Sequence, residues 1–305
     1  MTNQNSEPSG VLILNKPKGP TSHDMVYRVR RLYSTKKVGH TGTLDPMAEG
    51  VLVMLIGRAA KAAEYLVSDT KKYLATLRLG YETDTQDITG EVTNRFDGQM
   101  PSEEEVKNAA SAFLGKSLQI PPMYSALKVG GKKLVDLARA GEVVERQPRP
   151  IEIFDIECEK ISETEYSLAV HCSSGTYIRT LCEDIGKRLG CFGTMASLIR
   201  SETGGFSLDE SYTEEQLCEM TPEERLCCFI PVESLFKSLK HVNLPPFYEK
   251  LCRSGCEIYL SKIKADFDVG ERVRICDKDG SFFALGEVLE YEKGKAVKSI
   301  KIFNL

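Results

Sequence analysis

The segment Gly39-His40-Thr41-Gly42-Thr43-Leu44-Asp45-Pro46 places one carboxylate between a glycine-rich stretch and a proline. Glycines let backbone approach a ligand closely, and His40, Thr41 and Thr43 add polar groups around it. A carboxylate held in such a loop can act as a covalent nucleophile. The same letters also suit a helix start, with Asp45 as cap and Pro46 at the first helical position. Taken alone, the segment leaves both readings open.

Three further segments carry unusual combinations: Asn15-Lys16-Pro17 with Gly19 and Thr21-Ser22, then Lys72-Tyr73, then Gly175-Thr176-Tyr177-Ile178-Arg179-Thr180-Leu181. Arg179 lies off the apolar stripe Ile178, Leu181, Ile185 and Leu189, so local pattern puts it on the solvent side of its helix. No phosphate-binding loop is present. The ten cysteines are scattered without a CxxC pair, and there are only four histidines, so no structural-zinc spacing arises. The thiols are expected to be reduced and mostly buried as small hydrophobes.

These segments need a scaffold, and the pattern predicts a mixed one. Residues 10–15 read as a buried strand. A helix is expected over 23–33, a Gly/Thr/His loop over 34–45, an apolar stretch at 51–56 and a second helix over 58–67. A strand over 73–80, an acidic loop over 81–90 and a helix from Pro101 to about 114 follow. Residues 119–150 form a long irregular excursion with a short helix around 133–140, a feature that is usually functional. Strands are expected at 151–158 and 165–172, then a helix from Gly175-Thr176. An acidic, helix-prone connector (208–235) leads to a β-rich tail with a hairpin turn at Asp279-Gly280. The division is a short disordered N-terminus (1–9), a main domain (10–238) that carries the irregular insertion (119–150), and a C-terminal module (239–305).

Net charge is −4, but it is segregated. Residues 1–80 hold 12 basic and 6 acidic side chains and residues 116–150 hold 7 and 3, whereas 201–235 hold 1 and 9. Binding to phosphates depends on the field within a Debye length of about 8 Å rather than on the total, so a basic groove on an acidic body is allowed. A set of solvated faces is equally allowed. The first ten residues lack a signal-peptide core, and no apolar run approaches the roughly 20 residues of a membrane span. A cytoplasmic location is expected.

In order and register, the four segments resemble bacterial tRNA pseudouridine synthases of the TruB type, which isomerise the uridine at position 55 of the tRNA T-arm loop. Gln119-Ile120-Pro121-Pro122-Met123-Tyr124-Ser125-Ala126-Leu127-Lys128, with Leu137-Ala138-Arg139-Ala140-Gly141, adds a fifth match in the thumb. The likeness runs from about residue 10 to 235 and more loosely over the tail. It implies an α+β fold: a pseudouridine-synthase-like catalytic domain with a mixed or antiparallel central sheet, plus a small β-rich, PUA-like RNA-binding module.

The resemblance makes Asp45 the nucleophile, attacking C1′ or C6 or promoting a glycal intermediate, Arg179 its ion-pair partner and Tyr73 the aromatic that stacks on the target base and has been proposed to handle the C5 proton. Tyr177 and Leu198 would line the uracil pocket, and His40 would occupy the loop from which the base is extruded. Lys16, Lys18, Lys36, Lys37, Lys61, Lys71, Lys72, Lys128, Lys132 and Lys133 become candidate phosphate contacts. Breaking C1′–N1 and joining C1′ to C5 needs no redox change, so no cofactor and no metal is implied. The partner is tRNA; no membrane or protein partner is implied, and a monomer is expected. Two departures stand out: Leu198-Ile199-Arg200 where the family commonly has Leu-Arg-Arg, and Leu134-Val135-Asp136 where a tyrosine is common. The alternatives are a synthase acting on another RNA and a non-catalytic tRNA-binding or folding factor on the same scaffold.

Overall fold

Alternating contacts on both faces explain the apolar run Gly10–Lys16, which forms a strand buried on each side. Leu12 and Leu14 join one core, and Val11 and Ile13 join another. The structure, a computed structural model, describes residues 8–65 and 70–303. Its main sheet has nine strands, ordered Gly10–Lys16, Glu49–Ile56, Gly193–Thr203, Lys71–Leu79, Glu165–Cys172, Arg149–Lys160 and Gly115–Gln119, with Val38–His40 and Phe206–Ser207 attached at the side. All pairings are antiparallel except one. Glu49–Ile56 meets Gly193–Thr203 in parallel through Ile199↔Glu49 and Arg200↔Gly50, which makes the sheet mixed. That contact demands glycine at 50: its φ is 104°, and a Cβ there would lie 2.3 Å from the Arg200 carbonyl oxygen.

Helices Glu103–Ser111 and Ile178–Leu189 contribute Val106, Ala109, Ile178, Leu181, Cys182 and Ile185 to the core on one face of this sheet. Helix Ser22–Leu32 starts with a capping box between Thr21 and Asp24, which satisfies backbone donors that would otherwise be orphaned. The connector is more than a spacer. It carries the short helices Glu214–Glu219 and Pro222–Cys227, and its backbone pairs with the edge strand through Ile230 with Val11 and Tyr212 with Ile13 and Asn15. An otherwise open sheet edge is thereby covered.

A second sheet of five strands begins at His241–Asn243 and includes Arg272–Cys276, Phe282–Tyr291, Gly294–Ile302 and Ile258–Tyr259. Phe236, Phe282 and Phe303 stack near one another and share a core with Val11, Ile13, Val53 and Leu55 of the main sheet. The two sheets are therefore joined through apolar contact.

Several expectations change. Gly193–Thr203, a central strand, was not foreseen, and Val38–His40 is a strand within the expected loop. The helix expected over 58–67 is a 3₁₀ helix, Gly57–Tyr65, and residues 66 and 67 lie outside the described residues. The acidic loop is a short hairpin, Tyr81–Thr83 with Val92–Arg95. Of the expected disordered terminus, residues 1–7 lie outside the described residues, while Ser9 accepts a hydrogen bond from the Arg58 amide at 3.0 Å. No described helix is long and apolar enough to cross a membrane. All ten cysteines are free, six of them buried.

Because Phe236 fills the junction between the sheets and is 1% exposed, Phe236→Ala should cost about 3–5 kcal/mol. Urea unfolding of the variant should show the midpoint displaced accordingly; an unmoved midpoint would mean that the junction adds nothing to stability.

Candidate active site

Four ties hold the Gly39–Ala48 loop in place. Ser22 Oγ donates to the Leu44 carbonyl at 3.0 Å and accepts from the Leu44 amide at 2.8 Å. Lys16 Nζ donates to the carbonyls of Ala48 (2.6 Å), Pro17 (2.9 Å) and Pro46 (3.3 Å). Arg200 donates to Gly42 O at 3.1 Å, Thr43 O at 3.4 Å and Val51 O at 2.8 Å. The fourth tie is Arg179, which grips Asp45 itself. Of the helix or tight turn expected after Asp45, the structure has the turn: the Ala48 amide donates back to the Asp45 carbonyl at 3.1 Å, leading into strand Glu49–Ile56. Asp45 is therefore not a helix cap.

Arg179 is 4% exposed rather than solvent-facing. Residues at a helix start can point along the axis into whatever lies beyond it, so the stripe rule misplaces it. Its Nε lies 2.9 Å from Asp45 Oδ2 and one terminal nitrogen donates to Oδ1 at 3.2 Å, a bidentate fork. The remaining donors reach Thr85 O at 3.0 Å and Tyr124 O at 2.8 Å, so one guanidinium ties the nucleophile candidate to two loops. Burial pushes the Asp45 carboxyl above the usual aspartate range, and the Arg179 charge pulls it back.

The carboxylate opens on a cleft of about 360 Å³ lined by Thr41–Asp45, Lys71, Tyr73, Ser125–Leu127, Ser174–Arg179 and Leu198. Asp45, Tyr73, Tyr177, Arg179 and Leu198 thus meet from four distant segments. Tyr73 and Leu198 are 8% and 7% exposed and come from adjacent strands. Burial pushes the Tyr73 phenol up to about 12, opposed by the neighbouring Arg200 cation. Gln119 clamps the Tyr177 backbone, accepting from its amide at 2.8 Å and donating to its carbonyl at 3.1 Å.

Three further expected residues lie outside the cleft wall. Lys16 cannot contact phosphate: it is wholly buried and spends its donors on carbonyls, and burial lowers its ammonium to about 8. His40 sits on strand Val38–His40 next to the cleft loop but not in the cleft wall; its Nδ1 is buried without a partner, and burial holds the imidazole below its usual range. Lys61 is exposed in a separate groove with Arg30, Lys36, Lys37 and Arg58, a cationic surface that shares no lining residue with the cleft.

Comparison with known proteins agrees with this architecture. The family model described as TruB family pseudouridylate synthase (N terminal domain) matches residues 30–178, and the one described as tRNA pseudouridylate synthase B C-terminal domain matches residues 179–237. The chain is 40% identical over 283 residues to tRNA pseudouridine synthase B of Clostridium tetani (strain Massachusetts / E88), covering 92% of this chain and 95% of that protein. The chain belongs to the TruB family. The protein of the same name from Alkaliphilus oremlandii (strain OhILAs) is 44% identical over 251 residues, covering 82% of this chain and 83% of the relative. Among solved structures, a chain in the crystal structure of a Cbf5-Nop10-Gar1 complex matches with TM-score 0.75 at 26% identity, over 96% of this chain and 84% of that one.

In this TruB-family chain the second family model ends at residue 237, so it takes in the connector along with strand Gly193–Thr203. Sequence reasoning missed Arg200, Asp87 and Gln119 at the site. Asp87 is 4% exposed and orders the loop that touches Arg179, accepting from Thr85 Oγ1 at 2.9 Å and the Thr89 amide at 2.9 Å. The available signal for Arg200 was its place in Leu198-Ile199-Arg200, where the family commonly has Leu-Arg-Arg. Among the described residues, no group of three or more His, Cys, Asp or Glu is placed to hold a metal ion.

Lys16 yields a prediction with a definite sign. Its folded pKa of about 8 lies below the ordinary 10.5, so the unfolded chain holds this proton more tightly. The charged form penalises the fold fully below pH 8, and the penalty disappears as pH rises to 10.5. Relative to Lys16→Met, wild-type stability should gain about 3 kcal/mol across that window. Parallel stability curves for the two proteins from pH 7.5 to 10.5 would refute the assignment.

Proposed function

We propose that this chain isomerises a uridine of tRNA to pseudouridine, and that its target is position 55 in the T-arm loop. The observation that carries the reading is the bidentate Arg179–Asp45 pair on the cleft wall, facing Tyr73, Tyr177 and Leu198. Membership of the TruB family supports it, as does the name of the curated relatives.

A uracil extruded from its loop enters the cleft with Tyr73 against one face and Leu198 beside it. Stacking of this kind is worth about 1–3 kcal/mol per base, which offsets part of the unstacking cost. Asp45 then acts as the nucleophile that releases the base from C1′. Arg179 keeps the carboxylate ionised in a partly desolvated site and fixes its two oxygens. His40, at the rim, fills the space that the extruded base leaves. The exposed hairpin Lys128–Val129 and Lys132–Lys133 and the Lys61 groove contact phosphates, and the module from residue 239 onward adds RNA-binding surface. A monomer acting in the cytoplasm, without cofactor or metal, belongs to the same proposal.

Release of tritium from tRNA labelled at uridine C5 tests it. Wild type should release label, and tRNA with cytidine at position 55 should release none. Asp45→Asn should bind tRNA yet lose release by more than about a thousandfold. Equal release by both proteins would remove Asp45 from its role, and binding without release by wild type would favour a folding factor. Release that ignores position 55 would point to another target.

The thumb has its own readout. Lys132→Ala with Lys133→Ala should weaken tRNA binding and shallow its salt dependence, by a slope of about 0.7–0.9 for each phosphate that is no longer neutralised. An unchanged slope would mean that the hairpin touches no phosphate.

A further inference from the structure

Arg200 is the largest side chain wholly withdrawn from solvent in the described structure, and none of the roles above uses its charge. A guanidinium has five N–H donors. Three are directed at the carbonyls of Val51, Gly42 and Thr43. Tyr73 lies directly across from it in antiparallel register on the adjacent strand, and the guanidinium and the phenol favour each other's charged forms. The hydrogen-bond partners of Arg200 are therefore all neutral: three carbonyls and a phenol.

A buried cation whose hydrogen-bond acceptors are all neutral is costly: the carbonyls repay only part of its lost hydration, and Asp45, the anion that favours its charge, is held by the other arginine. A neutral amide, with two N–H donors, could serve two of these carbonyls at lower desolvation cost, so tying the loop to the sheet does not by itself call for a charge. The charge acquires a use if an anion forms beside it. Asp45 is already gripped by Arg179. The other group that can ionise in the cleft wall against Arg200 is the Tyr73 phenol, which is otherwise faced by the Cys172 thiol from the strand on its far side and by Asp45 from the loop.

We infer that Arg200 is a positioning residue for proton transfer: it fixes the Tyr73 phenol at the cleft wall and stabilises the phenolate that removes the C5 proton. This rests on the reading of the chain as a uridine isomerase. Once the C1′–C5 bond has formed, C5 still carries its hydrogen. The phenolate oxygen takes that proton, and the C5–H electron pair becomes the C5–C6 double bond. The former N1–C6 double bond becomes a lone pair on N1, which takes a proton from water. The proton that Tyr73 released to water beforehand balances the one N1 gains, and Tyr73 ends as the phenol it began as.

The test is single-turnover conversion of tRNA carrying hydrogen or deuterium at uridine C5, with tRNA affinity measured alongside. Arg200→Gln should slow conversion about a hundredfold, leave tRNA affinity within about threefold of wild type and raise the deuterium isotope effect above the wild-type value. Arg200→Lys, which keeps a cation, should recover most of the rate. Adding Tyr73→Phe to Arg200→Gln should slow it little further, because the two act on one step. A slowed Arg200→Gln with the wild-type isotope effect, or full additivity with Tyr73→Phe, would overturn the inference and leave Arg200 as a loop brace. If Arg200→Gln does not fold, Arg200→Lys decides: a small residual slowing with a raised isotope effect supports the role, and an unchanged isotope effect, at any rate, rejects it. Wild type that converts neither tRNA would instead sink the isomerase reading itself.

Discussion

A carboxylate partly withdrawn from water stays charged only if something replaces the lost water, and at Asp45 that replacement is the Arg179 fork. The pair fixes more than a protonation state. Because the same guanidinium also donates to Thr85 and Tyr124, the loop behind the hairpin Tyr81–Thr83/Val92–Arg95 and the start of the thumb can settle only where Asp45 already is. Arg179 in turn is placed by the helix Ile178–Leu189, whose apolar face is sunk in the core. Folding of the sheet and assembly of the site are thus one event: without the core the fork has no anchor, and without the fork a buried charge would be unpaired.

Lys16 extends this logic. The stretch Asn15–Ser22 looks like a surface loop rich in lysine, glycine and proline, and as such invites an RNA-binding interpretation. In the fold Lys16 and Ser22, near its two ends, are an internal brace, while Lys18, Gly19 and Thr21 between them are exposed. Lys16 and Ser22 hold the Pro46, Ala48 and Leu44 backbone from below, so that the turn after Asp45 cannot relax into the helix its sequence permits. Local capping preference favours that helix by about 1 kcal/mol; several buried hydrogen bonds to the loop outweigh it.

Legibility followed the kind of information each element uses. Strand Gly10–Lys16 and helices Ser22–Leu32 and Glu103–Ser111 were readable because periodicity and capping are local. The grouping of Asp45, Tyr73, Arg179, Tyr177 and Leu198 was readable only through resemblance, since no spacing along the chain implies that residues 45 and 179 touch. Strand Gly193–Thr203 was not readable at all: its central position is defined by partners on both sides, and it buries Thr194 and Arg200, which no hydrophobic pattern would assign to a core. Lys16 was misplaced for the same reason, because the acceptors that let a lysine be buried lie some 30 residues away along the chain.

Two buried arginines therefore divide the electrostatics of one cleft. Arg179 faces an acid and spends its charge in the resting state. Arg200 hydrogen-bonds only neutral groups, and the carboxylate that favours its charge, Asp45, is already bound by Arg179. A preorganised charge is most useful where charge develops during a reaction, because it need not be rearranged at that moment. The strand that carries Arg200 also carries Leu198 and pairs with the strand that carries Tyr73. The register that sets Arg200 opposite Tyr73 thus brings the apolar wall, the aromatic and the second cation together, and a one-residue slip of Gly193–Thr203 would turn Leu198 and Arg200 to the other face, away from Tyr73.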